Sequence, residues 1–88
     1  MTKEDFISLG LKEGFHYGQQ LRFDWGNVWE DDGRGAFFNY NSITNNLKID
    51  TTDKGYNRDG PNYSTKFNGF VTSIEEFKLI LNLIKLRL

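Results

Sequence analysis

Four acidic side chains lie within nine residues of one another in a stretch that holds no lysine or arginine, namely Asp24, Glu30, Asp31 and Asp32. Concentrated negative charge of this kind suits a basic partner, because it imitates a run of phosphates. A solvated hairpin tip is the simpler interpretation, since charged residues are common at exposed strand edges. The whole chain has 11 Lys and Arg against 12 Asp and Glu, a net charge of -1, which excludes wholesale nucleic-acid mimicry.

A second set of oxygen donors has a spacing that prompts comparison with calcium sites: Asp50, Asp53, Asn57 and Asp59. An EF-hand loop needs Asp or Asn at its third and fifth positions, and counted from Asp50 these positions hold Thr52 and Lys54. A lysine at a ligand position repels a cation. Hydrogen bonding within turns explains the four residues better. We therefore predict neither a metal site nor a cofactor.

His16 is the single histidine, and the chain has no cysteine. A histidine near neutrality can move protons, but the nucleophile motifs that histidine serves, Gly-x-Ser-x-Gly or His-Glu-x-x-His, do not occur in this sequence. A small hydrolase built on His16 and nearby carboxylates is the weakest of the functional hypotheses. We expect no catalytic residues and no enzyme activity.

The elements that would position these residues follow from local patterns. Thr2 as a cap and Gly10 as a left-handed stop predict a helix over residues 3–9. Alternation of Leu21, Phe23 and Trp25 with polar residues predicts a strand. Further strands are predicted over residues 36–40, 47–50 and 63–71, with turns at 31–35 and 45–46. The polar stretch 51–62 is expected to form a long surface loop or a wide hairpin end.

The C-terminal segment carries the clearest helix signal. Ser73 and Glu76 have the spacing of a capping box, which predicts a helix from residue 74 to about residue 87. One face collects the core-forming residues Ile74, Phe77, Ile80, Leu81, Ile84 and Leu88. A second apolar stripe on the far side consists of Leu79, Leu83 and Leu86, which would contact water if the helix merely covers a sheet.

Together these elements predict a single α+β domain over residues 1–88. A twisted antiparallel sheet of about four strands would carry the C-terminal helix on one face, with the short N-terminal helix beside it. The expected core residues are Phe23, Phe37, Phe67, Phe77, Ile80 and Ile84. The start of the chain lacks a secretory pattern and no apolar run reaches about 20 residues, so we expect a cytoplasmic protein with no membrane contact.

Two segments resemble small accessory proteins of bacteriophages and mobile elements: the start from Thr2 to Gly10, and the stretch 67–77 with the Leu/Ile-rich end that follows. The likeness covers mainly the two ends of the chain. It implies a protein that acts by binding a host machine, for example as an inhibitor of CRISPR or other defence enzymes. No active residue is implied by it.

The leading functional hypothesis is therefore a non-enzymatic protein-binding module that binds a host protein or complex, with a possible homodimer through the C-terminal helix. The expected partner-binding residues are Leu79, Leu83, Leu86, Trp25, Trp29, Glu30, Asp31 and Asp32. The alternative is a small module for single-stranded nucleic acid, suggested by the aromatic run Arg34-Gly35-Ala36-Phe37-Phe38-Asn39-Tyr40. Basic residues are spread along the chain, so we expect direct nucleic-acid binding less than protein binding.

Overall fold

The structure is a computed structural model that describes residues 1–26, 35–57 and 60–86, with backbone alone at 53–57 and 60–63. Five strands form one antiparallel sheet in the order β1-β2-β3-β4-β5. This arrangement confirms the predicted α+β class and adds a two-residue edge strand. The elements in chain order are α1 (Lys3–Ser8), β1 (Lys12–Glu13), β2 (Gln20–Gly26), β3 (Gly35–Asn41), β4 (Asn46–Asn57), β5 (Gly60–Phe70) and α2 (Ile74–Leu83).

The core face of the sheet is set by the register of its central strands. Phe23 on β2 pairs with Phe38 on β3, which pairs with Ile49 on β4. Residues directly opposite one another in a sheet share a face. All three are fully buried, so an unbroken apolar row crosses the middle of the sheet.

Both helices pack on this face. The Phe6 ring of α1 stacks on the Phe23 ring with centroids 4.4 Å apart. Phe77 of α2 lies 5.3 Å from Phe6 and 5.7 Å from Phe38. The predictions for Phe23 and Phe77 are confirmed, and three further predicted residues pack half-buried against the same cluster: Phe67, Ile80 and Ile84.

Phe37 is buried as predicted for a core residue, but it lies outside the cluster that faces the helices. Neighbouring residues of a strand point to opposite faces, and it is Phe38 that faces the helices. Phe37 is buried on the other face of the sheet, where the guanidinium of Arg22 lies 4.6 Å from its ring centroid. The sequence alone did not distinguish which of two adjacent phenylalanines faces inward.

The long β4–β5 hairpin includes the stretch 51–62, which was expected to form a long surface loop or a wide hairpin end. The second alternative fits, and most of the stretch is strand, since β4 continues to Asn57 and β5 begins at Gly60. A register shift leaves Lys66 without a partner, because Ile49 pairs with Phe67 while Asp50 pairs with Thr65. Such a bulge changes which face the following residues occupy. Thr65 and Phe67, predicted to share a face, therefore lie on opposite faces.

The N-terminal helix forms as its capping residues predict. The Thr2 backbone N–H donates to Oδ2 of Asp5 at 2.9 Å, and Gly10 adopts φ 88° just beyond the end of α1. In the described part of the chain, neither helix combines the length and the apolar character needed to cross a bilayer.

Candidate protein-binding surface

Helix α2 has one buried side and one side in solvent. Phe77 and Leu81 are buried against the sheet. On the opposite side, Leu79 is 63% exposed and Leu83 is 80% exposed. The two leucines are four residues apart, so they lie one above the other on successive turns. We call this exposed pair the leucine pair.

The start of α2 is fixed by a capping arrangement close to the predicted one. The hydroxyl of Ser73 accepts a hydrogen bond from the Glu76 N–H at 3.2 Å. The Glu76 carboxylate accepts from the Thr72 hydroxyl at 2.6 Å and the Thr72 N–H at 3.3 Å, and the Ser73 hydroxyl lies 3.4 Å from the same oxygen. Hydrogen bonds from Thr72 hold the pKa of Glu76 below its ordinary value. Because this cap fixes where α2 begins, it also fixes the helical turns on which the leucine pair lies.

The helix α2 ends earlier than predicted, and this changes which leucines form the outer apolar stripe. The helix ends at Leu83, and Lys85 adopts a left-handed φ of 59°. The Leu86 N–H donates to the Leu81 carbonyl at 2.9 Å and the Lys85 N–H to the Asn82 carbonyl at 3.1 Å. These two bonds define a Schellman motif, which reverses the chain.

Leu86 consequently does not lie on the outer stripe. It is half-buried and packs against the core cluster, which corrects the predicted three-leucine face. Beside it, an open pocket of about 380 Å³ is lined by Leu81, Asn82, Lys85 and Leu86. The exposed side of α2 thus offers two protruding leucines, and the C-terminal end of the helix carries a separate concave site.

None of the other predicted partner-binding residues that the structure describes adds to the exposed surface of α2. Trp25 is half-buried and packs against the core cluster, so its ring is partly used by the fold. Four more lie outside the described residues: Trp29, Glu30, Asp31 and Asp32. Of the four oxygen donors compared with a calcium loop, Asp59 and the side chains of Asp53 and Asn57 also lie outside the described residues.

Asp50 has partners within the sheet. Its Oδ1 accepts from the Thr65 hydroxyl at 2.6 Å, and its Oδ2 lies 3.9 Å from Nζ of Lys48. Among the side chains that the structure describes, no three His, Asp or Glu residues converge as a metal site would require.

The other face of the sheet is polar and carries paired charges. Nε of Arg22 lies 3.4 Å from Oδ1 of Asp24, and Lys48 faces Asp50 in the same way. Nearby, the Asn46 amide donates to the Asn68 side-chain oxygen at 3.0 Å. Each of the two cations therefore faces a carboxylate on this surface.

A pair of exposed aromatic rings was not predicted as a binding feature. Phe15 is 71% exposed and Tyr17 is 74% exposed, and their ring centroids are 5.1 Å apart. They occupy the loop between β1 and β2, on either side of His16. The available signal was the Phe-x-Tyr spacing, because residues two apart in an extended chain point the same way.

His16 is the centre of a small polar network. Its Nε2 lies 2.7 Å from Oε1 of Glu13, and the Lys3 ammonium lies 2.6 Å from the same oxygen. Hydrogen bonds from Lys3, and secondarily from His16, hold the pKa of Glu13 below its ordinary value. The Glu13 hydrogen bond correspondingly raises the pKa of Lys3. The network connects α1, β1 and the β1–β2 loop.

Comparison with known proteins adds no relative: no protein-family model matches the chain, and neither the curated proteins nor the solved structures yielded a significant match.

Proposed function

We propose that this chain is a non-enzymatic protein-binding module, with the leucine pair of α2 as the centre of its contact surface. The observation that carries the proposal is the exposure of Leu79 and Leu83, at 63% and 80%, on a helix whose opposite side already fills the core. A two-layer fold buries one side of such a helix. The second apolar side is free to meet another protein.

The geometry suits recognition of an exposed helix by an apolar groove. Anchors at positions i and i+4 are typical of an amphipathic helix that docks in this way. Full burial of one leucine side chain contributes about 1.5–3 kcal/mol.

The more specific proposal concerns the partner. The resemblance of both chain ends to phage and mobile-element accessory proteins supports a cytoplasmic inhibitor that binds a host defence enzyme, such as a CRISPR effector, in a fixed stoichiometry. Occupation of a site on a larger protein needs no catalytic group in the inhibitor. A homodimer through α2 would use the same two leucines.

The proposal is tested by placing charge on the leucine pair. We expect the double variant Leu79→Glu/Leu83→Glu to remain folded, since both side chains are exposed, and to lose at least about tenfold in affinity for the partner, because each buried leucine is worth more than that factor. The measurement combines affinity capture from host extract with cross-linking mass spectrometry, and light scattering for the mass in solution.

The matched control is Ile43→Glu, which makes one substitution of the same kind, aliphatic to acidic, at another exposed residue, in the β3–β4 turn. It should retain the parent's partners and mass. If the double variant also retains both, the leucine pair is not a binding surface and the proposal fails.

A module for single-stranded nucleic acid has less support. The polar face of the sheet offers Asn46, Asn68 and the 73% exposed Phe70, and a base can stack on an exposed ring. Arg22 and Lys48, however, each face a carboxylate, so they are poorly placed to attract phosphate. This function predicts single-strand affinity that falls as salt rises, and the absence of binding at low salt would contradict it.

A further inference from the structure

The loop between β1 and β2, residues 14–19, presents its two aromatic rings outward and its histidine inward. Phe15 and Tyr17 are exposed, whereas His16 is half-buried with its ring 5.7 Å from the Phe23 ring of the core face. Hydrogen bonds to the two imidazole nitrogens hold His16 in place, and backbone bonds from Gly14 and Tyr17 to β2 hold the two ends of the loop.

The two nitrogens have opposite roles. Nδ1 accepts a hydrogen bond from the backbone N–H of Arg22 at 3.1 Å, so in this arrangement Nδ1 carries no proton. The ring proton then belongs to Nε2, which donates to Oε1 of Glu13 at 2.7 Å. The hydrogen bonds thus specify the neutral Nε2–H tautomer.

The charged groups around His16 come from two elements. Glu13 on β1 contacts the ring directly, and Lys3 on α1 binds the same carboxylate oxygen. Strand β2 contributes the Phe23 ring and the backbone N–H of Arg22. The Arg22 guanidinium is placed over Phe37 and against Asp24, on the other face of the sheet.

We infer that the Glu13–His16–Arg22 set is a proton-operated latch. While His16 is neutral, its ring binds the Arg22 N–H of β2, and uptake of a proton opens this one contact while the backbone bonds between the loop and β2 remain. A proton on Nδ1 turns the acceptor into a donor, and two N–H groups then face each other. The bond to Arg22 is lost, while the imidazolium binds the Glu13 carboxylate more strongly.

Opening of the latch has a specific consequence. The loop keeps its contact with Glu13 on β1 and its backbone bonds to β2, from the Gly14 N–H to the Arg22 carbonyl at 2.8 Å and between Tyr17 and Gln20 at 3.0 and 2.8 Å. It loses the side-chain contact that lies between these two backbone anchors. Phe15 and His16 lie between the same anchors in the chain, so the restraint on the Phe15 ring beside Tyr17 depends on the proton on His16. The inference is independent of the leucine pair and of its partner.

The test is amide hydrogen exchange of the whole chain by NMR from about pH 8 to about pH 5. Exchange rates are divided by the intrinsic rate at each pH. The protection of the Arg22 amide should fall by about two- to tenfold on acidification, the factor associated with one hydrogen bond of ordinary net strength. The amide of Phe38, in the centre of the sheet, should keep its protection.

The matched variant is His16→Gln, whose side-chain oxygen can accept from the Arg22 N–H but does not titrate. Its Arg22 protection should be independent of pH over the same range. A second measurement on the parent protein, long-range proton–nitrogen correlation, should place the imidazole proton on Nε2 at the upper end of the range. A proton on Nδ1, or Arg22 protection that does not change with pH in the parent, overturns the latch.

Discussion

At the scale of single residues, the Tyr40 hydroxyl joins distant parts of the chain. The side chain is fully buried, and its oxygen lies 2.8 Å from Oδ1 of Asn45, 3.1 Å from the Val71 carbonyl and 3.2 Å from the Met1 amino group. The contacts reach the β3–β4 turn, the entry to α2 and the N-terminus. Burial, with a smaller contribution from the Asp5 charge, raises the pKa of Tyr40.

Tyr40→Phe should destabilise the fold by about 1–3 kcal/mol, because buried acceptors at Asn45 and Val71 lose their donor. Urea unfolding near neutral pH measures this, and Tyr17→Phe, at an exposed tyrosine, should change stability by less than about 0.5 kcal/mol. The raised pKa also predicts a pH dependence. The contribution of Tyr40 to the free energy of unfolding is present below the tyrosine's unfolded pKa and is lost as pH rises through the folded value. Equal effects of the two variants would contradict this role.

At the scale of elements, the end of α2 contains a residue poorly suited to its conformation. Lys85 has φ 59° at the position of the Schellman motif where glycine is preferred. A side chain in the left-handed region costs about 1 kcal/mol relative to glycine. The hydrogen bonds from Lys85 and Leu86 to Asn82 and Leu81 hold the turn in place despite this strain.

Lys85→Gly should therefore stabilise the protein by about 0.5–1 kcal/mol. The control is Lys78→Gly, which removes the same side chain from an exposed position inside α2 and should destabilise by about 1 kcal/mol. Thermal and urea unfolding of both variants measure whether each substitution stabilises or destabilises the protein. Destabilisation by both substitutions would show that the C-terminal turn does not strain Lys85.

Elements with a local chemical signal were predictable from the sequence. Thr2 and Gly10 bracket α1 and Ser73 starts α2. The turn predicted at Asn45-Asn46 forms just before Asn46, which begins β4, and Asn45 adopts φ 60° at its end. The bulge at Lys66 and the strand β1 were not predicted, because each depends on a pairing partner far along the chain. Local propensity carries no information on such registers.

Some residues of the candidate surface were likewise predictable from local sequence patterns, and others were not. Helical spacing was sufficient to predict Leu79 and Leu83 on the solvent side. Leu86 was misplaced because the chain reverses at a lysine, where no glycine signals the end of the helix. The Phe15 and Tyr17 pair was missed, since apolar side chains next to a strand are more often buried, and its exposure follows from His16 occupying the inward position.

At the scale of the whole molecule, one apolar layer between the sheet and two helices carries the packing, and polar networks at the rim attach the ends. Phe6, Phe23, Phe38 and Phe77 form a continuous aromatic cluster in this layer. The rim networks contain two carboxylates whose pKa values are lowered in the folded state, those of Glu13 and Glu76. On acidification, the hydrogen bonds of these rim carboxylates should therefore weaken first.

Stability should decrease on acidification. For a carboxyl group whose folded pKa is lowered, the stabilising contribution is present above its unfolded pKa and is lost as pH falls through the folded value. The urea midpoint should accordingly decline below about pH 4.5, near the ordinary pKa of glutamate. Glu76→Gln should make that decline shallower, because the hydrogen bonds from Thr72 no longer depend on an ionised partner.

Glu75→Gln is the matched control for this acid dependence, since it removes a neighbouring charge from the same first turn of α2 and leaves the bonds between Thr72 and Glu76 in place. If the general attraction between acidic residues and the helix dipole set the acid sensitivity, both variants would flatten the profile equally. The specific bonds at 2.6 and 3.3 Å predict a larger change for Glu76→Gln. The Thr72 contact, rather than net charge at the helix start, then sets the acid sensitivity of the start of α2.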